Sequence, residues 1–229
     1  MFSLEGVRKT YRGRRGSVDA LRDVTLTVET GSFLTVTGPS GSGKTTLLLT
    51  LGGLIRATAG RIDFKGVELS RLSEARLAEY RNRKVGFVLQ TFNLIPYLSA
   101  LENIMVPMVF ANGTGSSHTE RAKTLLDRVG LADRANHLPR ELSVGQQQRV
   151  AIARALGNDP EVILADEPTG NLDPALSRGI LGILRELNEK EGRTVVMVTH
   201  SPEAAQMGSH HLRLEDGCCV GVDNVRGQP

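Results

Sequence analysis

At 229 residues, 40% of them hydrophobic and 25 of them glycine, the chain is long enough for one α/β domain with a sizeable core, or one such domain with a small appended lobe. The 28 Lys and Arg against 25 Asp and Glu leave a net charge of only +3; the one basic cluster, Arg12 to Arg15, reads as an exposed hairpin turn, so a dedicated nucleic-acid binder with a basic face is not expected. The two cysteines, Cys218 and Cys219, are adjacent and form no disulfide framework, no apolar run nears the ~18 residues of a membrane span, and the start of the chain lacks the apolar region of a signal peptide, so the expectation is a soluble protein of a reducing compartment, held at a membrane, if at all, by another chain.

Phe2 to Tyr11 and Val18 to Glu29 read as short strands on either side of the basic turn, with V-T-L-T-V alternating as a half-buried strand does. Tyr11 ends the first of them; an exposed aromatic there can stack on a base, but spacing alone leaves it an ordinary strand tyrosine. F-L-T-V-T (Phe33 to Thr37) is an apolar, β-branched run that reads as a buried strand, and T-L-L-L-T-L (Thr46 to Leu51) continues as a helix until Gly52-Gly53 stops it. Between them lies G-P-S-G-S-G-K-T-T, which fits G-x-x-x-x-G-K-[ST] with Gly38, Gly43, Lys44 and Thr45 in the fixed places. Strand, Gly-rich loop and helix make a phosphate site. Glycine lets the backbone approach phosphate oxygens, the successive N–H groups face one concavity, and the helix N-terminus adds partial positive charge. Ser40, Gly41, Ser42 and Thr46 belong to that nucleotide-binding stretch, Lys44 is expected to reach the β- and γ-phosphates, and the Thr45 hydroxyl to ligate Mg²⁺.

Arg61 to Leu69 looks like a hairpin and Ser73 to Arg83 like a helix. Val85 to Gln90 reads as a second buried strand ending in a polar Gln90, and since ligands gather at strand carboxyl ends, Gln90 is a candidate metal or water contact. Residues 91–112 crowd apolar and aromatic side chains around Pro96 and Pro107, as either the core of a small helical lobe or an exposed patch for a partner. Asn112 to Ser117 reads as a linker and Ser117-x-x-Glu120 as a capping box opening a helix that stops at Gly130. L-S-V-G-Q-Q-Q-R (Leu142 to Arg149) leads a strong helix whose Ser143 and Gly145 make a second anion site or a plain N-cap. V-I-L-A (Val162 to Ala165) is a third buried strand followed by Asp166, suited to hold Mg²⁺ through water, and Glu167, suited to polarise an attacking water. Asp173-Pro174 starts a helix running to about Glu191, and Thr194 to Thr199 is a fourth strand closed by His200, a candidate γ-phosphate contact. Ser201 starts another helix. His210, His211, Cys218 and Cys219 flank a final hairpin turned at Asp216-Gly217, in a spacing that matches no usual zinc pattern, and the last residues look disordered.

Together, and in this order, these pieces resemble the ATP-binding-cassette ATPases over nearly the whole chain. Gly38 to Thr46 resembles Walker A, Gln90 the Q-loop glutamine, Leu142 to Gln146 the signature motif, Val162 to Glu167 Walker B with its catalytic glutamate, Asn171 to Asp173 the D-loop, and His200 the switch histidine. The resemblance makes Tyr11 the aromatic that stacks on adenine. It implies a P-loop NTPase core with an N-terminal antiparallel β subdomain and an inserted helical subdomain. The chain is then one nucleotide-binding domain, with 1–90 and 160–229 as the ATP-binding core and 91–159 as the helical part. It implies ATP and Mg²⁺ as ligands, with Thr45, Gln90 and Asp166 at the metal and Glu167, His200 and Gln90 at the reaction. It also implies a dimer of two copies, in which Ser143, Gly145, Gln146 and Asp173 of one copy meet the nucleotide of the other. Two stretches, 87–104 and 164–173, are similar to the lipoprotein-release, macrolide-export and cell-division group. Those ATPases drive a separate permease from the cytoplasmic face of the membrane, and the apolar patch at 92–108 is then expected to include the surface that receives it. One position departs from the pattern: the family usually has Gly where this chain has Val144.

Two other classes share parts of this pattern. A DNA-acting ATPase of the same superfamily carries long coiled-coil insertions, and no sustained heptads occur here. A P-loop kinase needs a lid and an acceptor pocket but no signature motif.

Overall fold

Strand patterning and glycine placement build two sheets that meet at the phosphate loop. The computed structural model describes residues 1–13, 16–113, 115–170 and 172–224. Arg14 and Arg15 of the basic turn, Asn171, and the C-terminal residues expected to be disordered lie outside that set.

The first two strands, β1 (Phe2–Gly13) and β2 (Gly16–Val28), form one hairpin. They are 12 and 13 residues long rather than short. Register shifts between Leu4 and Val7, and again before Lys9, let the paired strands bend without breaking. Next come β3 (Phe33–Thr37), α1 (Lys44–Leu51), β4 (Ala59–Phe64), the two-residue β5 (Val67–Glu68) and α2 (Glu74–Lys84). Then follow β6 (Val85–Val88), α3 (Ala100–Asn112), α4 (Ser116–Arg128), α5 (Val144–Ala155) and β7 (Val162–Asp166). The chain closes with α6 (Pro174–Glu189), β8 (Thr194–Val198), the short α7 (Pro202–Ala205), β9 (His210–Glu215) and β10 (Cys218–Asn224).

One sheet is antiparallel in the order β2-β1-β4-β5, and the other runs β10-β9-β3-β8-β7-β6. In the second, β9, β3, β8, β7 and β6 are parallel and β10 is an antiparallel edge. Its central strands β3, β7 and β8 are mostly apolar and buried along almost their whole length because both faces are covered. Leu34, Val36, Val162, Leu164, Val196 and Val198 face the antiparallel sheet and α1. Their neighbours Phe33, Ile163, Ala165, Val195 and Met197 face the helices. This period-2 split makes two cores from one sheet.

Residues 91–112 are part buried core and part exposed surface. Ala100, Ile104 and Met108 are buried with Ala122, Leu126 and Ile152 of α4 and α5, whereas Tyr97 and Phe110 are 77% and 82% exposed. The capping box lies elsewhere than expected. α4 begins one residue before Ser117, with Gly115 as its cap and no side-chain bond there, and Glu120 pairs instead with Lys123. The box forms at α3, where Ser99 Oγ accepts the Glu102 N–H at 3.2 Å and Glu102 Oε2 accepts the Ser99 N–H at 2.7 Å. Those bonds lower the Glu102 pKa. β6 stops at Val88, so Gln90 stands in the turn beyond the strand rather than at its last position. α6 stops at Glu189, two residues short of the expected end. In the last hairpin Cys219 lies opposite Leu214, and no group of three or more His, Cys, Asp or Glu suited to a metal occurs among the described residues.

Candidate nucleotide site

Parallel strands side by side bring their carboxyl ends to one sheet edge, and that edge is where an open α/β sheet leaves a crevice. A cavity of about 560 Å³ opens there. Ser40, Gly41, Gly43, Lys44, Thr45 and Thr46 line it from the loop after β3 and the start of α1. Gln90, Glu167 and His200 line it from beyond β6, β7 and β8. Residues separated by more than a hundred positions in sequence thus share one space.

Two glycines set the loop's path. Gly38 has φ 144°, and a Cβ there stands 2.0 Å from the Leu214 carbonyl oxygen; Gly43 has φ 98°, and a Cβ there stands 2.1 Å from the Ala20 carbonyl oxygen. No side chain fits at either place, and both backbone angles favour glycine. The last hairpin also supports the loop directly, since the Gly217 N–H donates to the Ser42 carbonyl at 3.1 Å. The Ser42 hydroxyl is buried without a hydrogen-bond partner.

Lys44 is 5% exposed. Its Nζ donates to the carbonyls of Gly38 at 3.0 Å and Pro39 at 2.8 Å. Burial lowers its pKa, and the charges of Glu167 and Asp166 act the other way. The Thr45 hydroxyl donates to Asp166 Oδ1 at 3.1 Å. Burial raises the Asp166 pKa, against the Thr45 hydrogen bond and the charges of Lys44 and His200. Glu167 Oε2 accepts the His200 backbone N–H at 3.2 Å. Glu167 Oε1 is buried without a hydrogen bond, with His200 Nε2 3.5 Å away.

These features fit a magnesium nucleotide. An ammonium held by neutral carbonyls alone is a strong donor for phosphate oxygens. A hydroxyl and a carboxylate in contact supply hard oxygen ligands for Mg²⁺, and a divalent cation beside Asp166 relieves the cost of its buried charge. Glu167 Oε1, an acceptor without a donor, is open to a proton from water.

Tyr11 stands beside this cavity rather than among its lining residues. It is 42% exposed, its hydroxyl lies 3.5 Å from Thr46 Oγ1, and Lys9 Nζ sits 5.0 Å from the ring centroid. The remaining predicted residues lie apart from the cavity, grouped with each other. Ser143 caps α5, its side chain accepting the Gln146 N–H at 3.3 Å while Gln146 Oε1 accepts the Ser143 N–H at 2.9 Å. Gly145 is buried against Leu176 of α6, and Asp173 caps α6 by accepting the N–H groups of Ala175 and Leu176. Val144 between them is 48% exposed. Sequence reading missed Ala20, Gly170 and Val198, which also line the cavity. They carry no functional side chain, and only the fold brings their backbones there.

The ABC transporter family profile matches residues 21–170. An ABC transporter ATP-binding protein of Thermotoga maritima is 49% identical over 223 residues, 97% of this chain and 95% of that protein. The macrolide export ATP-binding/permease protein MacB of Syntrophobacter fumaroxidans is 48% identical over 95% of this chain, which spans only 31% of that longer protein. Among solved structures, the ATP-binding cassette MJ0796 of Methanocaldococcus jannaschii, dimeric and bound to ADP and Pi in a post-hydrolysis state, superposes with a TM-score of 0.93 and 42% identity over 100% of both chains. The cavity's chemistry and these likenesses agree, and the chain belongs to the ABC transporter family, as a P-loop cassette that binds and hydrolyses ATP with Mg²⁺.

Proposed function

We propose that this cassette drives a separate membrane permease by closing as an ATP-bound homodimer and reopening after hydrolysis, in an export or mechanotransmission role. The observation that carries the reading is the one cavity shared by Lys44, Thr45, Gln90, Glu167 and His200. In it Lys44 and the Gly38 to Thr46 backbone hold the phosphates. Tyr11 stacks on the base. Thr45, Asp166 and Gln90 hold Mg²⁺, which when bound draws charge off the phosphate oxygens. Glu167 takes a proton from the attacking water, and His200 senses the γ-phosphate. The group at Ser143, Gly145, Gln146 and Asp173, exposed at Ser143 and Asp173, meets the nucleotide of the second copy. Loss of the γ-phosphate after hydrolysis removes that contact and lets the dimer open.

In this reading 1–90 and 160–229 act as the core and 91–159 as a helical lobe that faces the permease. Supporting this, a cleft of about 910 Å³ runs between them, lined by Leu54, Phe87, Val106, Pro107 and the exposed Phe110. MacB relatives join a cassette to a permease in one chain. No helix among the described residues is long and apolar enough to cross a membrane; in this reading the permease holds the chain at the cytoplasmic face. A DNA-acting ATPase gains no support: the longest described helix has 16 residues, too short for a coiled-coil arm.

Glu167→Gln removes the base and keeps the shape. Its ATP hydrolysis is expected to fall about 10²–10⁴-fold, and light scattering after size exclusion is expected to find a dimer with Mg-ATP and a monomer without it. Wild-type turnover by this variant removes the role given to Glu167. A monomer in both conditions removes nucleotide-driven closure of the isolated chain.

A further inference from the structure

The signature-bearing helix α5 holds a polar side chain that its capping and packing do not explain. Gln148 is 0% exposed. Its Nε2 donates to the carbonyl of Pro168 at 2.7 Å, while its Oε1, also buried, has no hydrogen-bond partner. A buried carboxamide with one end unsatisfied is unfavourable beside an apolar side chain of the same length. Its one bond goes to the residue directly after Glu167.

That backbone is strained. Glu167 has φ 45°, a left-handed conformation in a residue that is not glycine and that precedes proline. Such a conformation persists only where its surroundings over-determine it. Here the Glu167 N–H donates to the Val198 carbonyl at 3.0 Å, and the Gly170 N–H donates to the Glu167 carbonyl at 3.1 Å. The third tie is Gln148 to Pro168, and it alone comes from a helix rather than from the sheet or the turn itself. At the other end of the same helix, Arg154 donates to the carbonyls of Phe92 at 2.6 Å and Asn93 at 2.5 Å. Both of those residues also have positive φ, and both follow Gln90 closely. α5 therefore braces the turn under Glu167 and the loop behind Gln90 at once.

We infer that Gln148 is a positioning residue for hydrolysis: by holding the Pro168 carbonyl it keeps the Glu167 carboxylate aimed into the nucleotide cavity, and it makes that aim depend on the placement of α5. The inference rests on the role proposed for Glu167. It assigns the two ends of α5 different tasks, with the Ser143 end facing outward and the Gln148 and Arg154 side chains reading the helix position into the same chain's own site.

The test is steady-state ATP hydrolysis by Gln148→Met, which keeps length and burial and removes both polar atoms, and by Gln148→Asn, which stays polar but falls short of Pro168. For both, kcat is expected to drop about tenfold with KM and ATP affinity within twofold and Tm within a few degrees. In the Glu167→Gln background, Gln148→Met is expected to change the residual rate by less than twofold, because the two residues act as a unit. Wild-type kcat in both single variants overturns the inference. So does a full tenfold loss on top of Glu167→Gln, since the effect then bypasses the carboxylate, and so does a loss of kcat that only tracks a lowered Tm. If Glu167→Gln itself turns over at the wild-type rate, the proposed chemistry fails first. If Glu167→Gln is inert while Gln148→Met is normal, the positioning role alone fails.

Discussion

The Thr45 hydroxyl donates to Asp166 Oδ1 at 3.1 Å, across 121 positions of sequence. Each is a proposed metal contact, and without metal each partly satisfies the other. The pairing does not remove the cost of the buried charge, since the Asp166 pKa stays raised by burial despite the Thr45 hydrogen bond and the nearby Lys44. A raised carboxyl pKa means that the folded state disfavours the ionised form. The penalty is full above the raised value and disappears as pH falls below the unfolded value.

Asp166→Asn keeps an oxygen for Thr45 and removes the charge. Without nucleotide it is expected to unfold at a higher temperature than wild type at neutral pH, by a gain on the order of 1 kcal/mol. The gap is expected to shrink as pH falls through the carboxylate range. With Mg-ATP the order reverses, because wild type gains ligand stabilisation and the Asn variant gains much less. Calorimetry at several pH values, with and without Mg-ATP, reads both effects. A variant less stable than wild type at neutral pH without ligand sinks the argument.

Much of this site is legible in sequence because its parts are short and local. A phosphate loop needs glycine at Gly38 and Gly43, and a buried parallel strand needs an unbroken apolar run before Asp166. What is not legible depends on which of several equal candidates the fold selects. Ser99-x-x-Glu102 and Ser117-x-x-Glu120 read alike, yet only the first caps a helix. Gln146, Gln147 and Gln148 are three identical neighbours with three fates. The first closes a capping box, the second donates to the Pro139 and Leu142 carbonyls, and the third is buried on Pro168. A helix turning about 100° per residue separates them, and no property of glutamine does.

Glu161 joins the two sheets electrostatically. Its carboxylate pairs with Lys65, beside the turn from β4 to β5, and with Lys84 at the end of α2 at 2.6 Å. The hydrogen bond from Lys65, then that from Lys84, lowers its pKa. A lowered carboxyl pKa contributes stability above the ordinary carboxylate range, and this is lost as pH falls through the depressed folded value. Both lysines are nearly half exposed, so solvent screens the pair. Glu161→Gln is expected to cost about 1 kcal/mol at neutral pH and nothing once the wild-type carboxyl is protonated. Urea titrations at neutral and acid pH measure the difference, and a loss that persists unchanged in acid rules out this origin.

Phe110 is 82% exposed at the mouth of the larger cleft. A surface phenylalanine that faces water contributes little to folding, so Phe110→Asp is expected to change stability by no more than about 0.5 kcal/mol. Isolated ATP turnover is expected to stay within twofold of wild type. Reconstituted with its permease, the variant is expected to lose permease-dependent stimulation, because a charge in an apolar contact must be desolvated without a partner. Equal stimulation of the variant and wild type places the contact elsewhere.

Two glycines of the phosphate loop separate fold from function. At Gly38 an added Cβ meets the Leu214 carbonyl oxygen at 2.0 Å, and backbone of a neighbouring strand cannot give way as a side-chain tip can. Gly38→Ala is therefore expected to destabilise the whole protein by more than about 2 kcal/mol, in the range of other severe backbone clashes. At Gly41 nothing lies within 4 Å of such a Cβ, and only φ of 81° opposes it. Gly41→Ala is expected to cost only about 1–2 kcal/mol, the penalty of a left-handed alanine. Gly41 lines the cavity, so the added methyl is expected to crowd the side where phosphate approaches the backbone. ATP affinity is therefore expected to fall at least tenfold in Gly41→Ala while the protein stays folded. Isothermal titration with ATP, beside thermal melts of both variants, distinguishes the two effects. Unchanged ATP affinity in Gly41→Ala means that the open face at Gly41 is not where the phosphates lie.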